Sequence, residues 1–242
     1  MDDRFIIKPK IGKKDPILPE RVIIVPTFSM LELLVPGGKK NMSKLGVLEN
    51  TFFSLIKSGN VEAAVCGPVI GAPAAAILME KIIACGGKKI LFFGSCGAIS
   101  PSLEIGDIFI PDGGISEEGT SVLYLKGEKI LSPSMEILSA LEIALKKSSL
   151  SYKKGRVWTT DAPFMETVEK VEYYSSLSVL AVDMEFTALC AVAMFRQVSF
   201  AALMVVSDIL YKKEWAHGFP SAKFKDGKTN AVEIITKVLA DI

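Results

Sequence analysis

The stretch that decides the fold is Val179–Glu185, which reads VLAVDME and is followed directly by FTALCAVAMF. A strand-like apolar run ends there in two carboxylates, Asp183 and Glu185, which flank Met184. A helix-like apolar run then begins. In an open α/β sheet, ligands bind at the carboxyl ends of the strands. The stretch therefore predicts an acidic sheet edge that is suited to a polyhydroxylated ligand.

The same alternation of strand-like and helix-like runs continues along the rest of the chain. Other predicted strands are Arg21–Pro26, Val61–Gly67, Lys89–Phe93, Asp107–Pro111 and Ser199–Asp208. Predicted helices follow Gly71 and cover Met135–Lys147, Thr167–Ser176 and Lys228–Ile242. This pattern predicts an α/β protein with a largely parallel or mixed sheet. Residues 1–20 form a predicted irregular arm, and residues 21–242 a single domain, because no repeat or linker divides them.

Composition excludes several classes of partner. The chain of 242 residues has 28 Lys and Arg against 27 Asp and Glu, so it lacks the basic field that nucleic acid requires. No apolar run approaches the length of a membrane span, and the first residues lack the layout of a signal peptide. A mean hydropathy of +0.38 is high for a soluble monomer and predicts apolar surface buried in a homo-oligomer.

Cysteine and histidine usage argues against a metal site. The chain has one histidine and four cysteines, and none of the cysteines is in a CxxC pair. Four thiols in apolar surroundings are typical of buried, reduced side chains and of a cytoplasmic protein.

Gly94-Ser95-Cys96-Gly97 is a candidate anion site because it follows a predicted strand. Small residues at a tight turn leave backbone N–H groups and a hydroxyl free to hold an anion. The alternative is a turn that needs glycines for conformational reasons only. The spacing fits neither GxSxG nor GxxxxGK[ST], which excludes the hydrolase elbow and the P-loop.

The carboxylates of Asp208 and Glu185 can each be interpreted as functional or as structural. Asp208 ends a mostly apolar strand, where it is either a general acid with a raised pKa or a helix N-cap. Glu185 either accepts two O–H bonds from a cis-diol or forms an ion pair.

Taken together, these motifs resemble the family of uridine phosphorylases, hexameric purine nucleoside phosphorylases and methylthioadenosine/S-adenosylhomocysteine nucleosidases. The matching pieces run in the family's order and are VIIVP, CGPVIGAPAAAI, GSCGAI, GDIFIP, EEGTS, VWTTDAPFMET, VDMEF and VVSD. They extend from about residue 21 to 220. The resemblance implies a single α/β domain around a mixed, partly barrel-like sheet flanked by helices, and a dimer or hexamer.

The resemblance also assigns roles to residues. It implies that Glu185 holds the ribose 2′ and 3′ hydroxyls, that Met184 packs on the sugar, and that Asp208 protonates or hydrogen-bonds the base. The other implied contacts are phosphate at Ser95, Gly94 and Thr120, and the base at Thr160 and Phe164. The implied enzyme is a pentosyltransferase of nucleoside salvage that needs no cofactor besides phosphate as co-substrate.

Three positions depart from the family's pattern. Phe92 and Leu31 lie near positions where the phosphorylases carry phosphate-binding arginines, and a guanidinium is hard to replace for a phosphate dianion. Met165 occupies the place of an arginine that reads the pyrimidine in the uridine branch, which favours a purine. Three activities stay open: phosphorolysis, hydrolysis by a water-using nucleosidase, and nucleoside binding with little turnover.

Overall fold

A single mixed sheet carries the fold, and helices cover its faces. The computed structural model describes residues 5–35, 37–46, 48–127, 130–212 and 214–242. Within them the strands are β1 (Arg21–Ile24), β2 (Ser43–Lys44), β3 (Phe52–Ser58), β4 (Val61–Gly67), β5 (Lys89–Ala98), β6 (Ile108–Ser116), β7 (Ile130–Leu131), β8 (Tyr152–Thr159), β9 (Val179–Asp183), β10 (Ser199–Ile209) and β11 (Ala216–His217). The helices are α1 (Phe28–Leu34), α2 (Ala72–Ala84), α3 (Ser121–Tyr124), α4 (Met135–Lys147), α5 (Val168–Ser176), α6 (Phe186–Arg196) and α7 (Ala222–Asp241), with short 3₁₀ turns at Gly38–Asn41 and Pro163–Met165.

Part of the sheet closes into a barrel. The strand order runs β10, β6, β8, β9 and β5, and β5 pairs with β10 again, so five strands form a closed ring. From β5 the sheet continues outward through β1, β4, β3 and β2. β5 runs parallel to β10 and antiparallel to β9, which makes the sheet mixed. The predicted fold class, a mixed and partly barrel-like sheet flanked by helices, is confirmed.

The most apolar runs of the sequence form a central strand and the helix packed beside it. β10 is buried over nearly its whole length because it has strand neighbours on both edges and helices over its faces. Phe186–Ala193 of α6 are all buried, between the sheet and the helices α2 and α3. A continuous apolar run is expected of strands and helices covered on every side. The start of α6, where Glu185 lies, is therefore fixed by packing.

The predicted tight turn at Gly94-Ser95-Cys96-Gly97 is wrong, because β5 continues through it to Ala98. Neither glycine has a positive φ. A Cβ at Gly94 would collide with the Phe92 ring, and one at Gly97 would lie 2.5 Å from Cδ1 of Leu210. The glycines are thus required by close approach of neighbouring groups, and not by a turn.

Other sequence-based boundaries change less. Asp208 lies within β10, which rules out its interpretation as a helix N-cap. α7 starts at Ala222, six residues before the predicted start, because the Ser221 hydroxyl caps it at the Phe224 amide. Residues 5–20 of the predicted arm contain no helix or strand, and residues 1–4 lie outside the described residues.

No helix in the described part of the chain is long and apolar enough to cross a membrane.

Candidate functional site

A cavity of about 540 Å³ opens where β5, β9 and β10 end. Among the residues with predicted roles, those that line the cavity are Ser95, Phe164, Met184, Glu185 and Asp208. The rest of its wall is formed by Pro26, Thr27, Ile70, Cys96, Gly97, Pro163, Glu166, Val168, Val171, Val182, Asp183, Ser207, Leu210, Glu214, Trp215 and Phe219. A concave, mostly apolar wall with convergent polar groups is typical of a small-molecule site.

The register of three strands explains why these residues meet. Gly97 of β5 lies opposite Val182 of β9 on one side and opposite Asp208 of β10 on the other. The pairing of β10 with β5 skips Ser207, so a β-bulge lies directly before Asp208. A bulge re-aims the side chain that follows it. The side chain of Asp208 is thereby directed into the space beside the two acids between β9 and α6, Asp183 and Glu185.

Glu185 is the buried carboxylate at that junction, with only 5% of its surface exposed. Its Oε1 accepts a hydrogen bond from the Gly71 amide at 2.7 Å. No ion pair to Glu185 is found in the described part of the chain, and its side chain lines the cavity, within reach of a ligand. Burial, and then the charge of Asp183, raises the pKa of Glu185 above its usual value. O–H donors from a diol would favour its ionised form.

Asp183 holds the backbone from which Glu185 projects. Its Oδ2 accepts from the amides of Glu185 at 3.0 Å and Phe186 at 2.7 Å, so it caps the start of α6. Its Oδ1 accepts from the Thr159 hydroxyl at 2.6 Å. With these three donors satisfied, Asp183 supports the site and has little capacity left for a ligand. Burial raises its pKa although the donors oppose that effect.

A third buried carboxylate, Glu118, extends this network. It is 4% exposed and accepts from the Thr187 hydroxyl at 2.9 Å, the Ser121 amide at 3.0 Å and the Ser116 hydroxyl at 2.9 Å. Burial acts to raise the pKa of Glu118, but its hydrogen bonds outweigh burial and the pKa lies below its usual value. The Thr187 amide donates to the Thr159 hydroxyl at 3.2 Å. Because Thr159 in turn donates to Asp183, this bond connects Glu118 with Asp183.

This network predicts that Glu118→Ala destabilises the protein. The change leaves buried donors without an acceptor, which costs about 1–3 kcal/mol in the free energy of unfolding. Urea denaturation of the variant and the parent measures that difference. Glu62→Ala, at a largely exposed position on β4, is the control and is expected to shift stability by less than about 0.5 kcal/mol. Equal stability of Glu118→Ala and the parent would contradict the assigned network.

Around Asp208 the cavity is polar and aromatic. The Ser207 hydroxyl donates to Oδ1 of Asp208 at 2.6 Å, and Nε1 of Trp215 donates to Oδ2 at 2.9 Å. Trp215 and Phe219 are more than half exposed, and the ring of Phe164 is fully exposed at the cavity wall. Exposed rings beside a hydrogen-bonded carboxylate fit a flat, polar ring as ligand.

Glu166 is a cavity residue that sequence reasoning missed. It lies between the 3₁₀ turn Pro163–Met165 and α5, and its amide donates to the Pro163 carbonyl at 3.2 Å. Burial, followed by the charges of Asp208 and Glu117, raises the pKa of Glu166 to about 7. The available signal was its place in the loop after β8, because the ends of β8, β9 and β10 bring their loops together.

The charge of the cavity wall is one-sided. Five carboxyl groups line it, from Glu166, Asp183, Glu185, Asp208 and Glu214, and none of the described wall residues is Lys, Arg or His. Phe92 and Leu31, near the positions expected to carry arginine, are fully buried in the core. Within one chain, an anion at Ser95 would therefore meet hydroxyls and amides but no cation from the described wall.

Three residues with predicted roles lie outside the described cavity wall. Gly94 packs against Phe92, and Thr120 precedes α3, where its amide donates to Glu118 at 2.5 Å. Thr160 is 2% exposed, and its amide donates to the Asp183 carbonyl at 3.0 Å. Their ligand contacts stay predictions. The four cysteines are free and buried, as predicted.

Comparison with known protein families gives a match over most of the chain. Residues 28–240 match the model of the phosphorylase superfamily. A guanosine phosphorylase of Halorubrum lacusprofundi is 28% identical over 187 residues, which are 73% of this chain and 78% of that protein. A uridine phosphorylase of Thermococcus kodakarensis is 33% identical over 109 residues, which are 45% of this chain and 39% of that protein.

Solved structures share the fold. A purine nucleoside phosphorylase of Toxoplasma gondii, crystallised with immucillin-H, has a TM-score of 0.83 at 22% identity and covers 93% of this chain, with 91% of its own length matched. A uridine phosphorylase of Vibrio fischeri has a TM-score of 0.82 at 20% identity and covers 96% of this chain, with 100% of its own length matched. At these identities the likeness extends to the architecture alone.

Proposed function

The chain belongs to the phosphorylase superfamily, and we propose that it cleaves the N-glycosidic bond of a ribonucleoside, with phosphate as the attacking group. The proposed enzyme is a pentosyltransferase of the nucleoside phosphorylase kind, and it prefers purines to pyrimidines. The observation that carries the proposal is the shared cavity, where Glu185 and Asp208 line the same space.

The chemistry of the bond fits these two carboxyl groups. Cleavage builds positive charge on the sugar and negative charge on the departing base. Glu185 binds the 2′ and 3′ hydroxyls while Met184 packs against the sugar. Asp208 hydrogen-bonds the base and takes part in its protonation, which makes the base a better leaving group. Phe164 lies against the base, and Ser95 contacts the phosphate.

Two features support the purine preference. Met165 offers no cation for a pyrimidine, whereas the uridine branch is expected to use an arginine there. Asp208 presents a carboxyl group held by Ser207 and Trp215, which suits an acceptor nitrogen on the base once a proton is available. The guanosine phosphorylase among the relatives is consistent with this preference.

Water is a second candidate for the group that attacks the sugar. The described wall residues are acidic and include no cation, which favours water over phosphate in an isolated chain, because a phosphate dianion beside several carboxylates needs a compensating charge. We infer that phosphate use requires a cation lent by a neighbouring subunit, which fits a homo-oligomer, either a dimer or a hexamer. Four buried free thiols fit the proposed cytoplasmic location.

The test is base release with and without phosphate. The protein is incubated with guanosine, inosine, adenosine, uridine and methylthioadenosine, and the base and sugar products are separated by chromatography. Ribose 1-phosphate that forms only with phosphate is the expected result. Free ribose formed in both buffers would show that the protein uses water and not phosphate. Binding of a nucleoside without release of base would show that the protein is a nucleoside-binding protein with little turnover.

A further inference from the structure

We propose that Glu166 is a catalytic residue, and that it shares with Asp208 the proton that reaches the departing base. This inference rests on the proposed function and names a second acid for the same reaction. It starts from the position of both side chains in the wall of one cavity.

Two hydrogen bonds hold the Asp208 carboxyl at the cavity wall. Its oxygens accept from the Ser207 hydroxyl and from the indole N–H of Trp215. Asp208 is thus fixed where it can relay a proton to the base, and we look to the same wall for the group that supplies that proton.

Glu166 has the complementary surroundings. It is half-buried in the same wall, and no hydrogen bond or ion pair to its carboxyl is found among the described residues. Its pKa of about 7 results from burial first and then from the charge of Asp208. At neutral pH the Glu166 carboxyl is therefore protonated in a large share of molecules, and it lines the same cavity as Asp208.

The other charged groups near Glu166 do not cancel the effect of Asp208. Lys170 of α5 lowers the pKa of Glu166, but its Nζ lies 2.6 Å from Oε1 of Glu117, whose charge raises that pKa. Glu117 also accepts from Nε1 of Trp158 at 2.9 Å, so this ion pair is fixed in place. The remaining carboxyl groups of the wall, Asp183, Glu185 and Glu214, add no positive charge.

The proposed step balances in protons and electrons. The C1′–N bond breaks and its electron pair moves to the base, which takes the proton held by Glu166 and Asp208. A phosphate oxygen forms the new bond to C1′. The proton that hydrogen phosphate gives up on forming the ester then restores the Glu166 carboxyl.

The test compares two leaving groups in Glu166→Gln. With the purine nucleoside that the parent cleaves fastest, kcat is expected to fall about 10²–10⁴-fold, the usual loss for a general acid. With 4-nitrophenyl riboside, whose leaving group needs no proton, kcat stays within about threefold of the parent. Glu169→Gln, an exposed position in the first turn of α5, is the matched control and keeps both rates.

The pH profile supplies a readout that a structural role would not move. In the parent, kcat/KM for the nucleoside falls as the pH rises through about 7, because the acid of the free enzyme loses its proton. That decline is absent from Glu166→Gln and returns in Glu166→Asp. An unchanged decline in Glu166→Gln, or equal losses with both leaving groups, would overturn the inference. If the parent releases base from no nucleoside, the proposed function fails first, and this inference fails with it.

Discussion

Replacing Glu185 by Gln is expected to lower kcat/KM for a ribonucleoside by about 10²–10³-fold, because a buried site loses its charged acceptor for two hydroxyl groups. The amide has one oxygen to accept hydrogen bonds and presents an N–H₂ group where the carboxylate had its second oxygen. If Gly71 keeps the remaining oxygen, as it does in the parent, the diol meets the wrong partner.

The 2′-deoxynucleoside separates loss of the diol contact from general damage. The parent is expected to prefer the ribonucleoside, and Glu185→Gln to lose most of that preference, since one of the two hydroxyls involved is absent from the deoxy substrate. Steady-state kinetics with both substrates measure the ratio. Glu62→Gln, on the exposed side of β4, should keep the parent's ratio. Equal losses with both substrates would show that Glu185 does not bind the 2′ hydroxyl.

Cavity residues could be predicted from the sequence where the local pattern of one strand is enough to locate them. Val179–Asp183 and Ser199–Asp208 are apolar runs that end in acids. They form β9 and most of β10, and Glu185 follows the end of β9 directly before α6. Apolar patterning and an abrupt change to acidic residues are local properties. They locate such residues without any knowledge of which strands pair.

Contacts between distant segments could not be predicted in that way. The Gly71 amide that fixes Glu185 lies 114 residues earlier, and Glu118 reaches Thr187 across 69 residues. The strand β3, FFSLIKS, was missed although Gly59-Asn60 after it is a two-residue hairpin signal, and β3 pairs with β4 along its whole length. The raised pKa of Glu166 could not be predicted, because it depends on Asp208 from another strand.

Asp208→Asn is expected to lower kcat for the purine nucleoside by about 10²–10⁴-fold, with a smaller effect on KM, because the path of the proton to the base is broken. Asp226→Asn, on the exposed side of α7, is the control and should leave kcat unchanged. The unfolding midpoint of each variant is measured as well, since the amide that replaces the Asp208 carboxylate can match only one of the two donors from Ser207 and Trp215. A kcat for Asp208→Asn close to that of the parent would exclude Asp208 from proton transfer.

The residual activity of Asp208→Asn tests whether the two carboxyl groups act as one unit. Removing the charge of Asp208 takes away one cause of the raised pKa of Glu166, so the decline of kcat/KM must move to lower pH than in the parent. Because one proton serves both groups, the double variant Glu166→Gln/Asp208→Asn should be no slower than the slower single variant. Multiplied losses in the double variant would mean that the two groups act independently. In that case Glu166 would contact the substrate without supplying the proton to the base.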